Sequence, residues 1–407
     1  MPQYNFTAEE AVSILGIRLA PGRMGKLDYK GNVFTSCIAC ASHDAGHLNV
    51  RSGMFHCFSC GFKSRDVFVN LPETAGRVTE NAPVKEVEEE AEASESTKHK
   101  CYCALLSDQM FSLNKNTVEY LKKRGMTEET ARKYGFRTYP ALDPLKDFDR
   151  RKSVANRIME KGISTKGVAA FATDKSGKRY LCHKNGEGLI MPIISINHKA
   201  VGLRHRPLVK KDGVKETPFS TSGKPGGVSA HSPAGFFCNW ENNRPKDDSD
   251  GEYVFQNQRY PRKHAFCVTE GPLKAALLRQ EMPESGPVIS ISGVSSIRNL
   301  EGILKEMKKM GYLYCDNYLD MDEFIPFLDQ KTGKMLEGNP GVARASNQLK
   351  RMCAKIGLKC FRRKWDMTIE VNGKKFKNAL KGIDDYLVYK NKGILPHTLT
   401  DPKEDAN

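Results

Sequence analysis

The sequence predicts an α/β protein in which a small N-terminal β unit is linked to a larger core with a parallel sheet and flanking helices. Three observations favour this class. Residues 1–71 contain two cysteine pairs between short strand-like segments. The polar segment 72–100 follows. Beyond it, short apolar runs end in turns that lead into helical patterns, which is typical of buried parallel strands.

Composition narrows the functional classes. The 407 residues include 64 Lys+Arg and 48 Asp+Glu, a formal charge of +16, although 72–100 holds 4 basic and 8 acidic side chains. Such a basic chain is suited to a polyanion such as nucleic acid, although the charge could serve solubility alone. The sequence contains no run of about 18 apolar residues, so no membrane span is predicted. The N-terminus lacks the basic region of a secretory signal, so we expect a reducing, cytoplasmic location.

Composition shifts also predict the domain organisation. Residues 72–100 are rich in Glu, Ser and Ala and cannot bury enough apolar surface to order, which indicates a flexible acidic linker. The predicted parts are a cysteine-rich domain (1–71), this linker (72–100), a helical part (101–187), a β-rich part (188–262), a parallel-sheet domain (263–395) and a flexible tail (396–407).

Two Cys-x-x-Cys pairs predict a structural zinc site in a zinc ribbon. Each tight turn presents two thiolates to one ion, and two turns complete a tetrahedron. A redox role is the alternative for a single pair, and a nearby histidine could replace one cysteine. The predicted ligands are Cys37, Cys40, Cys57 and Cys60, and the alternative ones are His43, His47 and His56. Cys101 and Cys103 have no second pair nearby and are expected to be core or loop thiols.

Acidic residues follow several predicted strands of the core. Residues 265–268 form an apolar run that ends at Glu270, before Pro272 begins a helix. Strands are also predicted at 287–292 and 312–316, and the acids Asp316, Asp320 and Asp322 come at or after the last of these. Because active sites lie at the carboxyl ends of such strands, these acids predict a Mg²⁺ or Mn²⁺ site. Helix caps and solvated loop acids are the alternative.

Basic residues near these elements are candidate contacts to phosphate. Segment 188–208 predicts a two-stranded hairpin with a turn at Asn197-His198, and Arg204 and Arg206 lie near its end. Lys274 lies one turn into the helix after Glu270. Lys274 and Lys381 could balance phosphate charge, or could be ordinary surface residues. The basic run 350–364 is predicted to be mainly a solvated face, with contact to the template as the alternative.

Part of the N-terminal domain resembles the zinc-binding domain of DnaG-type and phage primases. The resemblance covers "CIAC…FHCFSCGFKSRDVF", in which 65–68 match the helix that closes the module. The segment "TVEYLKKRGMTEETARKYGF" (117–136) predicts two short helices with Thr127 as an N-cap, and it is similar to the start of the primase polymerase core. The hairpin at 188–208 is similar to one in the same families.

The C-terminal half resembles the Toprim-like domain of unknown function in phage and plasmid primases. The matching elements are "TEGPLKA" (269–275), "DMDEF" (320–324), "NPGVARASNQLKRMCAKIG" (339–357), Trp365 and "KGIDDYL" (381–387). This resemblance implies a Toprim-like α/β core with Glu270 as the glutamate, Asp320/Asp322 as the Asp-x-Asp pair and Asp384/Asp385 as the late acids. A fourteen-residue stretch separates "DMDEF" from "NPGV", and which of Asp316, Asp320 and Asp322 bind metal stays open.

Together these resemblances imply a DNA primase, a nucleotidyltransferase that joins ribonucleoside triphosphates into short RNA primers on single-stranded DNA during phage or plasmid replication. We expect catalysis by Glu270, Asp320, Asp322, Lys274 and Asp385, magnesium binding by Glu270, Asp316, Asp320, Asp322 and Asp384, and nucleotide or DNA contacts by Arg204, Arg206 and Lys381. No phosphate loop of a helicase motor is present, so a helicase would act in trans. A non-catalytic single-strand-binding factor and a Toprim nuclease are the alternatives.

Overall fold

The computed structural model describes residues 4, 6–20, 27, 31–38, 46–57, 63–68, 90–143, 145–182, 184, 186–209, 216–238, 240–241, 244–245, 252–255, 258–261, 265–329, 334–396 and 399. The chain divides into two compact units, Met1–Glu86 with Leu328–Met335, and Val87–Phe327 with Leu336–Asn407. Across the described ranges, no helix has the length and apolar character needed to span a membrane.

An antiparallel sheet forms the centre of the N-terminal unit. The elements are helix α1 (Ala8–Ile14) and strands β1 (Asn32–Thr35), β2 (Gly46–Asn49), β3 (Phe55–Cys57) and β4 (Lys63–Ser64), with the strands paired in chain order. The rings of Tyr4, Phe6 and Phe68 pack with centroids 4.9 to 5.6 Å apart and build a small apolar core. Residues 65–68 form bends and not the helix that the resemblance implied.

The second unit begins with helices and a four-stranded antiparallel sheet. Its first elements are α2 (Glu95–Leu106), α3 (Lys115–Lys123), α4 (Glu128–Lys133), β5 (Arg137–Tyr139), α5 (Phe148–Glu160), β6 (Phe171–Thr173), β7 (Arg179–Leu181), β8 (Gly188–Ile194), β9 (Ala200–Pro207) and β10 (Thr217–Pro218). The sheet has the order β10-β9-β8-β5. The predicted hairpin turn is confirmed, and His198 adopts φ 57° there. Thr127 caps α4 through its side chain, as predicted.

A five-stranded sheet and four two-stranded sheets make up the rest of the described chain, in which residues 328–335 belong to the first unit. The elements that follow are β11 (Gly235–Phe237), β12 (Trp240–Glu241), β13 (Arg244–Pro245), β14 (Glu252–Phe255), β15 (Gln258–Pro261), β16 (Ala265–Glu270), α6 (Pro272–Glu281), β17 (Val288–Ile291), α7 (Glu301–Lys309), β18 (Tyr314–Asn317), β19 (Phe327–Asp329), β20 (Lys334–Leu336), α8 (Pro340–Lys355), β21 (Lys359–Arg362), β22 (Ile369–Val371), β23 (Lys374–Phe376) and α9 (Ile383–Lys392). Short 3-10 helices lie at Gln109–Phe111, Val294–Leu300 and Met321–Phe324.

The order of this sheet, β11-β17-β16-β18-β21, places β16 at its centre. Strands β17, β16, β18 and β21 are parallel, and β11 is an antiparallel edge strand. Alternate residues of β16 face two apolar layers: Cys267 packs with residues of α6 and α9, and Phe266 packs with residues of α7 and α8. The predicted α/β class, with a parallel sheet and flanking helices, is therefore confirmed.

The last residues of the predicted linker belong to the folded second unit. The backbone N–H of Ala93 donates to the carbonyl of Gly167, and the Gly167 N–H donates to the Glu90 carboxylate at 2.6 Å. Glu90 also pairs with Arg179 at 3.2 Å, and α2 begins at Glu95. Composition could not reveal these contacts because they depend on partners about 75 to 90 residues further along the chain. Residues 72–89 lie outside the described residues.

Candidate active site

Glu270 ends the central strand of the parallel sheet. Gly271 follows with φ 82°, a conformation that favours glycine, and Pro272 then begins α6. Burial raises the pKa of Glu270, and so do the charges of Asp320, Asp322 and Glu216, while Lys274 opposes them. Glu270 is therefore held in a partly desolvated site that contains other carboxylates.

Asp320 reaches the same site from the neighbouring strand. The Tyr318 N–H donates to the carbonyl of Val268, so the chain after β18 continues beside β16. The carboxylate of Asp320 forms an ion pair with the ammonium of Lys274. Burial nevertheless raises the pKa of Asp320, with Lys274 opposing and Asp384 adding to the rise.

Lys274 is surrounded by carboxylates. Its side chain is 22 % exposed. Burial alone would lower its pKa, but the charges of Asp320, Asp384 and Glu270 outweigh burial and raise it. The side chain is therefore a protonated ammonium at neutral pH, and it holds these acids together.

Asp384 is a buried acid in the first turn of α9. Its Oδ1 atom has no hydrogen-bond partner among the described residues. A Cβ added at Gly382 would lie 2.2 Å from that Oδ1 and 3.3 Å from Lys274 Nζ, so the backbone must approach both groups closely. The indole N–H of Trp365 donates to the Leu380 carbonyl at 2.7 Å and fixes the chain just before this turn.

Asp385, the next residue, lies in the same first turn of α9. Burial and the neighbouring charge of Asp384 raise its pKa to about 7, while Lys274 and Arg124 oppose the rise. It lines a small cleft with Lys123, Arg124 and Val388. This carboxyl group therefore keeps its proton to a higher pH than an ordinary surface aspartate does.

Asp322 lies at the more open side of the site, with a side chain 35 % exposed. Its carboxylate is 3.8 Å from Lys381 Nζ. Backbone hydrogen bonds join the three loops here: the Met321 N–H donates to the Lys381 carbonyl at 2.9 Å, and the Asn339 N–H donates to the Asp322 carbonyl at 2.9 Å. Lys381 is thus placed beside the Asp-x-Asp segment.

Asp316 occupies a separate environment. It is buried in β18, and the guanidinium of Arg363 donates to its Oδ1 at 2.8 Å. Burial raises the pKa of Asp316 to about 6, with Arg363 opposing and Cys360 adding to the rise. Among the acids predicted to bind metal, Asp316 therefore has an internal cationic partner, whereas Glu270, Asp320 and Asp384 share Lys274.

Arg362 holds the Asp-x-Asp segment from the neighbouring strand. Its guanidinium donates to the carbonyls of Asp320 at 2.8 Å and Asn317 at 3.2 Å, and it pairs with Glu323. This role of Arg362 could not be predicted from the sequence, because the basic run 350–364 is typical of a solvated face. The two consecutive arginines near the end of this run, Arg362 and Arg363, were the available signal.

The predicted basic pair lies in the second unit beside these acids. Arg204 forms an ion pair with Glu216, and Arg206 Nε donates to the Tyr120 hydroxyl at 2.9 Å. Burial lowers the pKa of Arg206, but Tyr120, Glu216 and Asp384 outweigh burial and raise it. The charge of Glu216, the partner of Arg204, raises the pKa of Glu270, and the charge of Asp384 raises the pKa of Arg206. The two arginines therefore border the acidic site. Sequence reasoning did not single out Glu216 or Tyr120.

The acidic residues fit a hard divalent cation. The carboxylates of Glu270, Asp320 and Asp384 all act electrostatically on the single ammonium of Lys274, so the acids of the site outnumber the cation that they share. The Asp384 Oδ1, buried and without a hydrogen-bond partner among the described residues, is an additional oxygen donor. Carboxylate oxygens are the ligands that Mg²⁺ and Mn²⁺ prefer.

Half of the predicted zinc ligands lie within the described residues. Cys57 ends β3 opposite Gly46, and Gly46 also pairs with Thr35, two residues before Cys37. Both thiols are thus at the same end of the sheet, and both are buried. Cys40, Cys60 and the alternative ligand His43 lie outside the described residues. His47 and His56 pair in register on β2 and β3.

Several solved structures of primases are similar to this chain. The Aquifex aeolicus primase (zinc-binding and RNA polymerase domains) is 14 % identical with a TM-score of 0.39, over 88 % of this chain and 76 % of that one. The RNA polymerase domain of Mycobacterium tuberculosis DnaG is 13 % identical with a TM-score of 0.40, over 72 % and 82 %. The E. coli primase catalytic core is 11 % identical with a TM-score of 0.35, over 72 % and 77 %.

Comparison with family models gives no match, and comparison with curated proteins gives none either. Functional assignments therefore rest on the residues and contacts of this chain.

Proposed function

We propose that the chain is a primase, which joins ribonucleoside triphosphates into short RNA primers on a single-stranded DNA template. The observation that carries this proposal is the group of Glu270, Asp320 and Asp384 around Lys274, with a buried Asp384 oxygen that lacks a hydrogen-bond partner among the described residues. The group lies at the carboxyl edge of a parallel sheet, where α/β enzymes bind their substrates. The motif resemblance to Toprim-like primase domains supports the same activity.

The acids at this edge would hold Mg²⁺ or Mn²⁺. The proposed ligands are Glu270, Asp320, Asp322 and Asp384, and Asp316 is the less favoured candidate because Arg363 already neutralises it. When bound, the metal ions would activate the primer 3′-hydroxyl and stabilise the pyrophosphate that leaves.

The chain's own residues would supply the remaining parts of the reaction. The 3′-oxygen bonds to the α-phosphorus of the incoming nucleotide, the bond to the β-phosphate oxygen breaks, and the hydroxyl proton must be accepted. Asp385, in the first turn of α9 beside the proposed ligand Asp384, would accept that proton. Arg206 and Lys381 border the acids and offer donors to the triphosphate, with Arg204 beside them.

The N-terminal unit would hold a structural Zn²⁺ through Cys37, Cys40, Cys57 and Cys60 and would bind the single-stranded template. A helicase would act in trans, and the setting would be the cytoplasm of a bacterial or phage-infected cell, as the motif resemblance implies.

Primer synthesis on a defined template tests the proposal. Wild-type protein, Asp384→Asn and Asp320→Ala/Asp322→Ala are incubated with single-stranded DNA, labelled ribonucleotides and Mg²⁺ or Mn²⁺. The control is Glu306→Gln, which changes a carboxylate in an ion pair on the surface of α7. Short labelled RNAs made by the wild type and the control, and lost in both active-site variants, would support the proposal.

The same assay separates the alternatives. Shortening of the DNA without labelled RNA would identify a nuclease. Template binding without any product, unchanged by the substitutions, would identify a non-catalytic single-strand-binding protein. Either result would overturn the proposed primase activity.

A further inference from the structure

Three cysteine thiols meet on the face of the parallel sheet that packs against α8. They are Cys315 in β18, Cys353 in α8 and Cys360 in β21, and their sulfur atoms all lie within 4.8 Å of one another. Cys315 and Cys360 are paired in register on adjacent parallel strands. We call these residues the thiol triad.

Two of the three thiols in the triad are buried, and the third is partly exposed to solvent. Cys315 and Cys353 have no exposed surface, whereas Cys360 on β21 is partly exposed. Buried cysteines often act only as small apolar residues, but that packing role does not require three sulfurs from three separate elements to converge. Three convergent thiols match the ligand type and number of a site for a thiophilic metal ion.

We propose that the thiol triad binds Zn²⁺ through three thiolates, with the fourth position open to solvent or an added ligand beside Cys360. A Zn–S bond of about 2.3 Å places tetrahedral sulfurs roughly 3.8 Å apart, so the observed grouping needs only small side-chain shifts to close on the ion. Each thiol would lose its proton to solvent as its sulfur binds. This site is distinct from the zinc ribbon predicted in the N-terminal unit.

Positive charge around the triad favours this occupant. Three thiolates and one Zn²⁺ carry a net charge of −1, which would be costly in an apolar layer without a counter-charge. Lys350 and Arg362 both act electrostatically on Cys360 and offset part of this charge, and Arg362 also pairs with Glu323. A neutral disulfide between two of the thiols would gain nothing from these cations.

The ion would tie together the elements that carry the candidate active site. Asp316 directly follows Cys315, and Arg362 lies two residues after Cys360 and contacts the Asp320 carbonyl. Asn317 donates from its side-chain amide to Ser346 on α8 at 2.9 Å, beside the same junction. A bound ion would therefore fix β18, β21 and α8 as one block. The effect of the bound ion on catalysis rests on the proposed function, whereas the binding of the ion to the triad does not.

Metal content and metal spectroscopy test the triad without any activity assay. Zinc per chain is measured by mass spectrometry of the metal for full-length wild type, Cys360→Ala and Cys353→Ala. The matched control is Cys267→Ala, a buried thiol in β16 of the same sheet. Cd²⁺ is then titrated into metal-free protein, and the sulfur-to-cadmium charge-transfer absorption is recorded.

We expect Cys360→Ala and Cys353→Ala each to lose one equivalent of zinc and the part of the cadmium absorption that comes from the triad. The control, Cys267→Ala, should keep the wild-type zinc content and the wild-type cadmium absorption. A folded Cys360→Ala protein with wild-type zinc content and cadmium absorption would overturn the proposal. A disulfide within the triad, found by peptide mapping of protein purified without reductant, would also overturn it.

A second measurement keeps the test decisive if the alanine variants fail to fold. Maleimide labelling of Cys360 in the wild-type protein is compared before and after removal of metal by a chelator. Protection that is lost with the chelator and restored by Zn²⁺ supports the site. Equal labelling in all three states would contradict it. These outcomes are independent of primer synthesis, so failure of the triad and failure of the proposed function are distinguishable.

Discussion

Lys274 in the first turn of α6 forms an ion pair with Asp320, which lies 46 residues further along the chain. This pair connects the turn after β16 with the segment after β18. Because the charges of Glu270 and Asp384 also act on Lys274, a single ammonium group organises acids from three separate segments of the chain.

Replacing this cation tests its role. Lys274→Gln removes the charge while keeping much of the side-chain length. We expect primer synthesis to fall by about 100-fold or more, because the acids repel one another without it. Loss of a largely buried partner should also lower the free energy of unfolding by about 3 kcal/mol, as measured with urea. Lys305→Gln, which breaks an exposed pair on α7, is the control and should change both little.

Gly382 should not tolerate a side chain. In Gly382→Ala, the new Cβ would meet Asp384 Oδ1 at 2.2 Å, so the acid or the turn must move. We expect a loss of about 1–3 kcal/mol of stability and a weaker response to Mg²⁺ or Mn²⁺ in thermal melts. A Cβ added at Gly302 on α7 would have no heavy atom within 4 Å. Gly302→Ala should therefore leave the stability unchanged or raise it. Equal melts for both variants would contradict the close approach at Gly382.

The buried pair of Asp316 and Arg363 should be coupled strongly. Arg363→Met leaves a buried carboxylate without its partner, which costs about 3–5 kcal/mol. Asp316→Asn/Arg363→Met should cost less than Arg363→Met alone, because no isolated charge remains. Urea unfolding of both single variants and the double variant gives the coupling energy. Arg132→Met, in an exposed pair with Glu128, should cost under about 1 kcal/mol.

Asp385 should make stability depend on pH. Its folded-state pKa of about 7 lies above the unfolded value near 3.8, so the native state binds more protons between these values. The free energy of unfolding therefore falls as pH rises from about 4 to 7, by about 1.4 kcal/mol per unit of pKa shift. Asp385→Asn should flatten this fall when unfolding is measured at several pH values. Glu370→Gln, an exposed acid, should keep the wild-type profile.

Removal of a predicted zinc ligand should affect the two units differently. Cys57→Ser should lower the zinc content by one equivalent and make the N-terminal unit sensitive to protease, because this unit is small and has little core of its own. Primer synthesis on long templates should fall, while Mn²⁺ binding by the second unit is kept. Cys103→Ser, an exposed thiol in α2, is the control. Full primer synthesis by Cys57→Ser on every template would refute the assigned role in template use.

Much of the fold follows from local signals. The apolar run before Glu270, the glycine after it and Pro272 together specify strand, turn and helix, and the structure has all three. The hairpin turn at His198 and the N-cap at Thr127 are equally local, since each depends on a few adjacent residues. These features could be predicted because neighbouring residues alone determine them.

Pairing between distant side chains could not be predicted in the same way. Arg362 and Arg363 lie in a basic run, but the register of β21 against β18 directs them toward Glu323 and Asp316. The thiol triad depends on the same register and on α8, whose cysteine alone gives no signal. Residues 90–94 look like linker by composition, yet Glu90 finds partners far along the chain.

Arg362 donates to three backbone carbonyls and one carboxylate, which requires a fork of donors in fixed directions. A lysine ammonium at the same position is a single point and could not reach all four acceptors. In a library randomised at this codon and selected for function, we therefore expect arginine alone to survive, with lysine depleted as fully as neutral residues. Lys309, in a surface pair with Glu306, should exchange freely with arginine under the same selection.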